Sequence, residues 1–267
     1  MCRRWLNPRA VTAGGRRTWL LVACVIAPAV LAGCSSAKQR HWYDRPRTSK
    51  EWLDLALEGE APDERREGVN GLAQSRDATS DWAMKVYDTV ARTDTDTMVR
   101  CAAVRAMMPG VGPERVPTLL KLLSGGEGVR PAEWPLRWEA AKLLEYVAYK
   151  ALYEDSQIDS IVQTLLDRLG KDPDRNVKLS VIETLAHFPQ RPVAGALIDA
   201  MDSDDYAIKH AAERSLVALT GTTHDHDAAA WRQWLAATDD PFKDAGKLSP
   251  DSLEPRKKRW WERGWEW

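Results

Sequence analysis

Few side chains in this chain are spaced for reaction. Of four cysteines, Cys34 ends an apolar run behind Ala32 and Gly33, small residues of the kind that precede a signal cleavage site. Cys101 sits inside an apolar helical pattern and reads as a small buried hydrophobe rather than a reactive thiol. With Cys2 and Cys24 removed together with a leader, no disulfide framework or CxxC metal site can be built. His224-Asp225-His226-Asp227 offers imidazoles and carboxylates, but two histidines two residues apart with no third ligand at an obvious spacing make a weak metal site. Asp227 is better read as the cap of a following helix. No nucleophile, base and orienting group come together in the sequence. No catalytic residue, metal or cofactor is therefore assigned, and the expectation is a protein that is not an enzyme.

The elements that position these residues begin with the amino-terminal segment. Residues 1–33 carry Arg3, Arg4, Arg9, Arg16 and Arg17 and no acid, followed by an uncharged run from Trp19 to Ala32. Fourteen residues are short for a bilayer-spanning helix, which needs about 20. A basic start, a short apolar stretch and small residues before a cut read as a signal peptide over 1–33. Within it, Leu31-Ala32-Gly33-Cys34 resembles a bacterial lipobox. The resemblance implies lipidation of Cys34, by diacylglycerol and an N-acyl chain such as palmitate, as the first residue of the mature protein. Ser35 rather than Asp after that cysteine implies sorting to the outer membrane, facing the periplasm. Arg16-Arg17 before Thr18, Trp19 and Leu20 resembles a weak twin-arginine motif, and the export route stays open between folded and unfolded passage.

From Cys34 onward, 33 basic residues face 39 acidic ones, a balance in which nothing suggests nucleic-acid binding, which needs a basic face. A tether over 34–48 with Trp42 and Tyr43 precedes the body. In the body one pattern recurs: an aliphatic residue, a cation, then apolar or small residues at helical offsets. Val99-Arg100 with Ala103, Ala106 and Met107 is followed by Leu136-Arg137 with Ala140, Leu143 and Leu144. Val177-Lys178 with Val181, Thr184 and Leu185 comes next, then Ile208-Lys209 with Ala212, Ser215 and Leu216; Arg66, Val69, Leu72 and Ala73 form a looser first copy. Taking Val69, Ala103, Ala140, Val181 and Ala212 as equivalent marks, the spacings are 34, 37, 41 and 31, and internal periods of this length mark stacked helical hairpins. Each copy has one apolar stripe and a preceding amphipathic partner: Trp52–Leu57, Trp82–Val90, Val116–Leu123, Ile158–Leu169 and Val193–Met201.

The pattern resembles the inner helix of HEAT repeats, including the HEAT-like family named after phycobilin lyases, over about residues 49–220. The resemblance implies an all-α fold, an α/α superhelix or HEAT-repeat solenoid of about five helix pairs, in a domain spanning 49–238 with a capping helix. The recurring cations are expected to bond acidic caps of adjoining repeats. Arg105, Glu139, Lys142, Glu183, Glu213 and Arg214 are expected to face outward, with mixed signs. Tyr146, Tyr149 and Tyr153 are expected to pack on the following pair, and Trp231, Trp234 and Leu235 to seal the end of the stack. The loop Ser124–Pro135 holds three glycines, two prolines and Trp134, read either as folded back on its own repeat or as a contact residue. A tail over 239–267 ends in Arg256-Lys257-Lys258-Arg259 and then Trp260, Trp261, Trp265 and Trp267. These tryptophans are candidate contacts with membrane, cell wall or partner, or a cover for the last repeat.

The leading functional expectation is a lipid-tethered envelope protein that acts as a non-catalytic scaffold for envelope protein partners. The alternative is a structural bridge between membrane and cell wall. The phycobilin-lyase resemblance would imply an enzyme, but that cytoplasmic activity conflicts with an export signal.

Overall fold

In a computed structural model of the protein, residues 45–248 are described; the leader, Cys34, Trp42, Tyr43 and Trp260–Trp267 lie outside them. Among the described residues there are eleven α-helices and no strand. They are α1 (Ser49–Glu58), α2 (Pro62–Ala73), α3 (Asp81–Thr93), α4 (Thr97–Met107), α5 (Val116–Ser124), α6 (Trp134–Tyr149), α7 (Ile158–Lys171), α8 (Arg175–Leu185), α9 (Arg191–Ala200), α10 (Tyr206–Thr220) and α11 (Ala228–Ala237). Consecutive helices pair as α1/α2, α3/α4, α5/α6, α7/α8 and α9/α10. The second helices of the pairs, α2, α4, α6, α8 and α10, pack on one another in order; α3, α5, α7, α9 and α11 form the other row. This is the α/α stack of five hairpins that the periodicity predicts, with α11 continuing the first-helix row.

Side-chain caps start six of the eleven helices. Thr48 caps α1 in a capping box with Glu51. Ser80 caps α3, and Asp96, Asp174, Asp205 and Asp227 cap α4, α8, α10 and α11 through their side chains. Each cap satisfies amide donors that a helix start leaves unpaired and sets a carboxylate or hydroxyl at the positive end of the dipole. At the other end, α10 stops at Gly221 in the left-handed region, φ 67°. A Cβ there would lie 1.9 Å from the Asp244 carbonyl oxygen, so only glycine lets residues 241–248 lie back on α10. On α2, a Cβ at Gly68 would fall within 2.3 Å of the Ala56 backbone; the missing side chain lets α1 approach closely.

Val69, Ala103, Ala140, Val181 and Ala212, the five equivalent marks of the repeat, are all fully buried. Small or β-branched residues at the closest approach let neighbouring second helices touch, while Leu119, Leu122, Leu136, Leu143 and Leu165 fill the space between rows. Each such leucine contributes about 1.5–3 kcal/mol by leaving water. One continuous apolar cluster runs from Ala56 to Trp231, which no single hairpin could enclose alone. Cys101 is part of it, and burial pushes its thiol up to about 12, consistent with a packing role. None of the helices among the described residues is long and apolar enough to cross a membrane.

Candidate binding face

Of the inter-repeat ladder expected from Arg100, Arg137, Lys178 and Lys209, one rung forms as expected among the described residues. Arg137 on α6 donates to both carboxylate oxygens of Asp172, at 2.7 and 2.9 Å, in the next repeat. Arg100 on α4 donates instead to the carbonyls of Arg130 and Pro131, because the loop ahead of α6 has no aspartate there. Those bonds order the glycine-rich loop on the array, with Arg130 N–H donating to the Arg92 carbonyl. Among the described residues Lys178 and Lys209 make no ion pair, and Arg66 turns to Asp63 of its own helix. The rungs are completed by residues that the pattern did not single out: Arg65 to Asp94 and Arg175 to Asp205.

An Asp-x-Asp motif explains the difference. In Asp94-Thr95-Asp96 and Asp172-Pro173-Asp174, the first aspartate receives an arginine from the previous repeat and the second caps the helix. In the fifth repeat the first position is Ser203, which accepts only the Asp205 amide. The incoming arginine, Arg175, therefore bonds the capping Asp205.

The outer edge of the second-helix row carries a half-buried stripe. On α6 it comprises Trp138, Lys142, Tyr146 and Tyr149, spaced by three and four residues; on α8, Leu179 and Glu183, with His187 just past its end; on α10, Ala211, Arg214 and Ala218; of these Tyr149 and Glu183 are exposed. Lys142 is the cation of its α6 part. Burial lowers its pKa despite Glu139, whose carboxylate lies 3.6 Å away. Its ammonium sits 4.3 Å above the Trp138 ring, a cation–π contact. Arg105 on α4 donates to Glu139 at 3.0 Å, tying α4 to α6. Tyr149 meets His187 edge-on at 5.9 Å and Tyr153 lies 5.5 Å from Phe188, so these two tyrosines pack on the following pair as expected.

Two residues placed outward by the sequence reading are in fact buried. Glu139 is 5% exposed and Glu213 is 3% exposed. Glu139 is covered by Arg105 and Lys142. Glu213 accepts from the Thr223 hydroxyl at 2.8 Å and from the Trp231 indole N–H at 2.7 Å. Helical periodicity names a face but not the neighbour that covers it, which here lies 34 residues upstream for Glu139 and 18 downstream for Glu213.

At the carboxyl-terminal end, Trp231 is fully buried and stands at right angles to Trp234, with His224 edge-on to it at 4.8 Å. His224 is thus a packing residue. His226 instead stacks beside His210 and the 70% exposed Tyr206, with Nδ1 of His210 3.4 Å from Nε2 of His226. Among the described residues no cluster of three or more metal-ligating side chains occurs. Trp134, at the first position of α6, is 47% exposed. Cys34, Trp260, Trp261, Trp265 and Trp267 lie outside the described residues.

No curated protein sequence matches this chain. A crystal structure described as an engineered protein is similar at 19% identity and a TM-score of 0.47, over 72% of this chain and 90% of that one. Residues 117–217, from α5 to α10, match the family model of HEAT repeats, and it is along this span that α6, α8 and α10 present the stripe.

Proposed function

We propose that the protein is a lipid-anchored scaffold of the bacterial cell envelope, held by Cys34 at the outer membrane on its periplasmic side, and that it binds an envelope protein rather than catalysing a reaction. HEAT-repeat arrays present extended surfaces suited to protein recognition. One observation carries the reading here: the stripe on α6, α8 and α10 sets Trp138, Tyr146 and Tyr149 among Lys142, Glu183 and Arg214. Aromatic anchors ringed by charges of both signs match the composition of protein interfaces, while the mixed signs do not suit a polyanion.

Two measurements test it. Cys34→Ser should release the protein from membranes and lower its mass by the acyl groups; a variant still membrane-bound at unchanged mass rules out the anchor. Partners recovered from membranes with the full chain should fall at least tenfold for Glu183→Lys combined with Tyr149→Ala, both at exposed positions, at unchanged melting temperature. Equal recovery would place recognition elsewhere on the molecule.

A further inference from the structure

We infer that the first repeat is itself a membrane-contact surface, presenting Lys50, Arg76, Leu53 and Trp82 to anionic lipid headgroups. These residues, with Asp77, help to line a cavity of about 330 Å³ between the start of α1 and the start of α3. The Arg76 side chain is 91% exposed, Lys50 is exposed, and Trp82, at the second position of α3, is 38% exposed. Asp77, the acid of the cavity, already has its charge met: the Ser49 hydroxyl donates to it at 2.5 Å and the Arg76 guanidinium lies 3.6 Å away. Among the described residues Lys50 makes no ion pair. An indole and two cations at one opening suit the membrane interface, where the ring is half buried and long basic side chains reach the headgroups.

Charge and reach point the same way. Residues 35–50 carry five basic side chains and one acidic one, whereas residues 51–238 carry 21 basic and 31 acidic. Of the five, Arg47 is engaged by Glu67. Arg45 lies eleven residues after Cys34, a reach of at most about 40 Å, so a lipid on Cys34 keeps this end of the array beside the bilayer. The connections between later pairs fall on the same edge as the cavity and carry exposed Glu114, Glu154 and Asp155, which anionic headgroups repel. Contact is therefore confined to the first repeat. The inference rests on the envelope reading above, which brings this end to lipid. Two cations and one ring are too weak and too salt-sensitive to hold the protein unaided, so Cys34→Ser is still released from membranes.

Vesicle sedimentation at low salt tests it on residues 34–267 with Cys34→Ser, a chain with neither leader nor acyl group. Its outcome is thus independent of whether Cys34 is lipidated in the cell. Binding to vesicles of phosphatidylglycerol and phosphatidylethanolamine should be at least tenfold stronger than to phosphatidylcholine, and should weaken as salt rises. Lys50→Glu with Arg76→Glu, both at exposed positions, should lower it at least tenfold at unchanged melting temperature. Trp82→Ala should lower it severalfold and leave the salt dependence as it was. Equal binding by the double charge variant, or equal binding to the two kinds of vesicle, would overturn the inference. So would a loss seen only when Arg256, Lys257, Lys258 and Arg259 are changed to glutamine. Competition by inorganic phosphate at constant ionic strength would assign the cavity to a soluble anion and overturn it as well.

Discussion

Trp231→Ala is expected to destabilise the array more than any other single truncation at its carboxyl-terminal end. The indole is fully buried, and removing a buried tryptophan costs about 3–5 kcal/mol in packing. The change also takes the N–H bond from the Glu213 carboxylate and leaves that group 3% exposed with Thr223 as its remaining hydrogen-bond donor. The total belongs at the upper end of the range, worth roughly 10 °C in melting temperature for an array of this size. Repeat arrays open from weak ends because each unit contacts only its neighbours. Amide exchange should therefore accelerate first in α9, α10 and α11 and leave α3–α6 protected. Trp231→Phe separates the two contributions: it keeps most ring volume and loses the donor, and should cost about 1–3 kcal/mol. A melt and exchange pattern equal to the native protein for Trp231→Ala would show that α11 does not seal the stack.

How much of this was legible beforehand depends on the range over which each feature is decided. Helix positions were legible because caps and apolar offsets are local: Asp96, Asp174, Asp205 and Asp227 announce helix starts within three residues of themselves. The repeat was legible because Val69, Ala103, Ala140, Val181 and Ala212 recur at 31 to 41 residues, turns absorb the variation, and all five must be buried. The ladder was only partly legible. A cation recurs at one position, but its partner is chosen by whether the next repeat offers Asp94 or Asp172, or lacks that carboxylate, as at Ser203 and the loop before α6. The signal that was present and not used is the paired Asp-x-Asp, about one repeat after Arg65 and Arg137. The face itself was least legible. Glu139 and Glu213 lie at helix positions that would be open in an isolated hairpin, and only stacking and α11 bury them.

The second large effect is expected where the ladder is driest. Asp172 has no side-chain exposure and Arg137 only 17%, so the pair is shielded from water and salt. Arg137→Met leaves a buried carboxylate without its cation and should cost about 3–5 kcal/mol. Arg137→Met with Asp172→Leu should recover much of that loss, since a well-packed apolar pair is often as stable as the ion pair it replaces. Recovery should stop short of complete: the Ala132 carbonyl loses the Arg137 donor at 2.9 Å and the Asp174 amide loses its acceptor at 3.0 Å, each worth about 1 kcal/mol. The exposed rung between Arg175 and Asp205 should show a much smaller effect when cut. Acid unfolding reads the same pair independently. Burial alone would raise the Asp172 pKa, but the bonds from Arg137 and the Asp174 amide, with the arginine's charge, outweigh it and hold the pKa below the ordinary value. Asp94 is lowered for the same reasons through Arg65 and Asp96. A carboxylate whose folded pKa is depressed stabilises the fold above the unfolded value of about 3.9, and that stability is lost as pH falls through the lower folded value. Melting temperature should therefore hold down to about pH 4 and then drop steeply, and the double variant should show a shallower acid limb. A single variant that melts with the native protein, or a double variant worse than either single change, would mean that the rung contributes by shape alone.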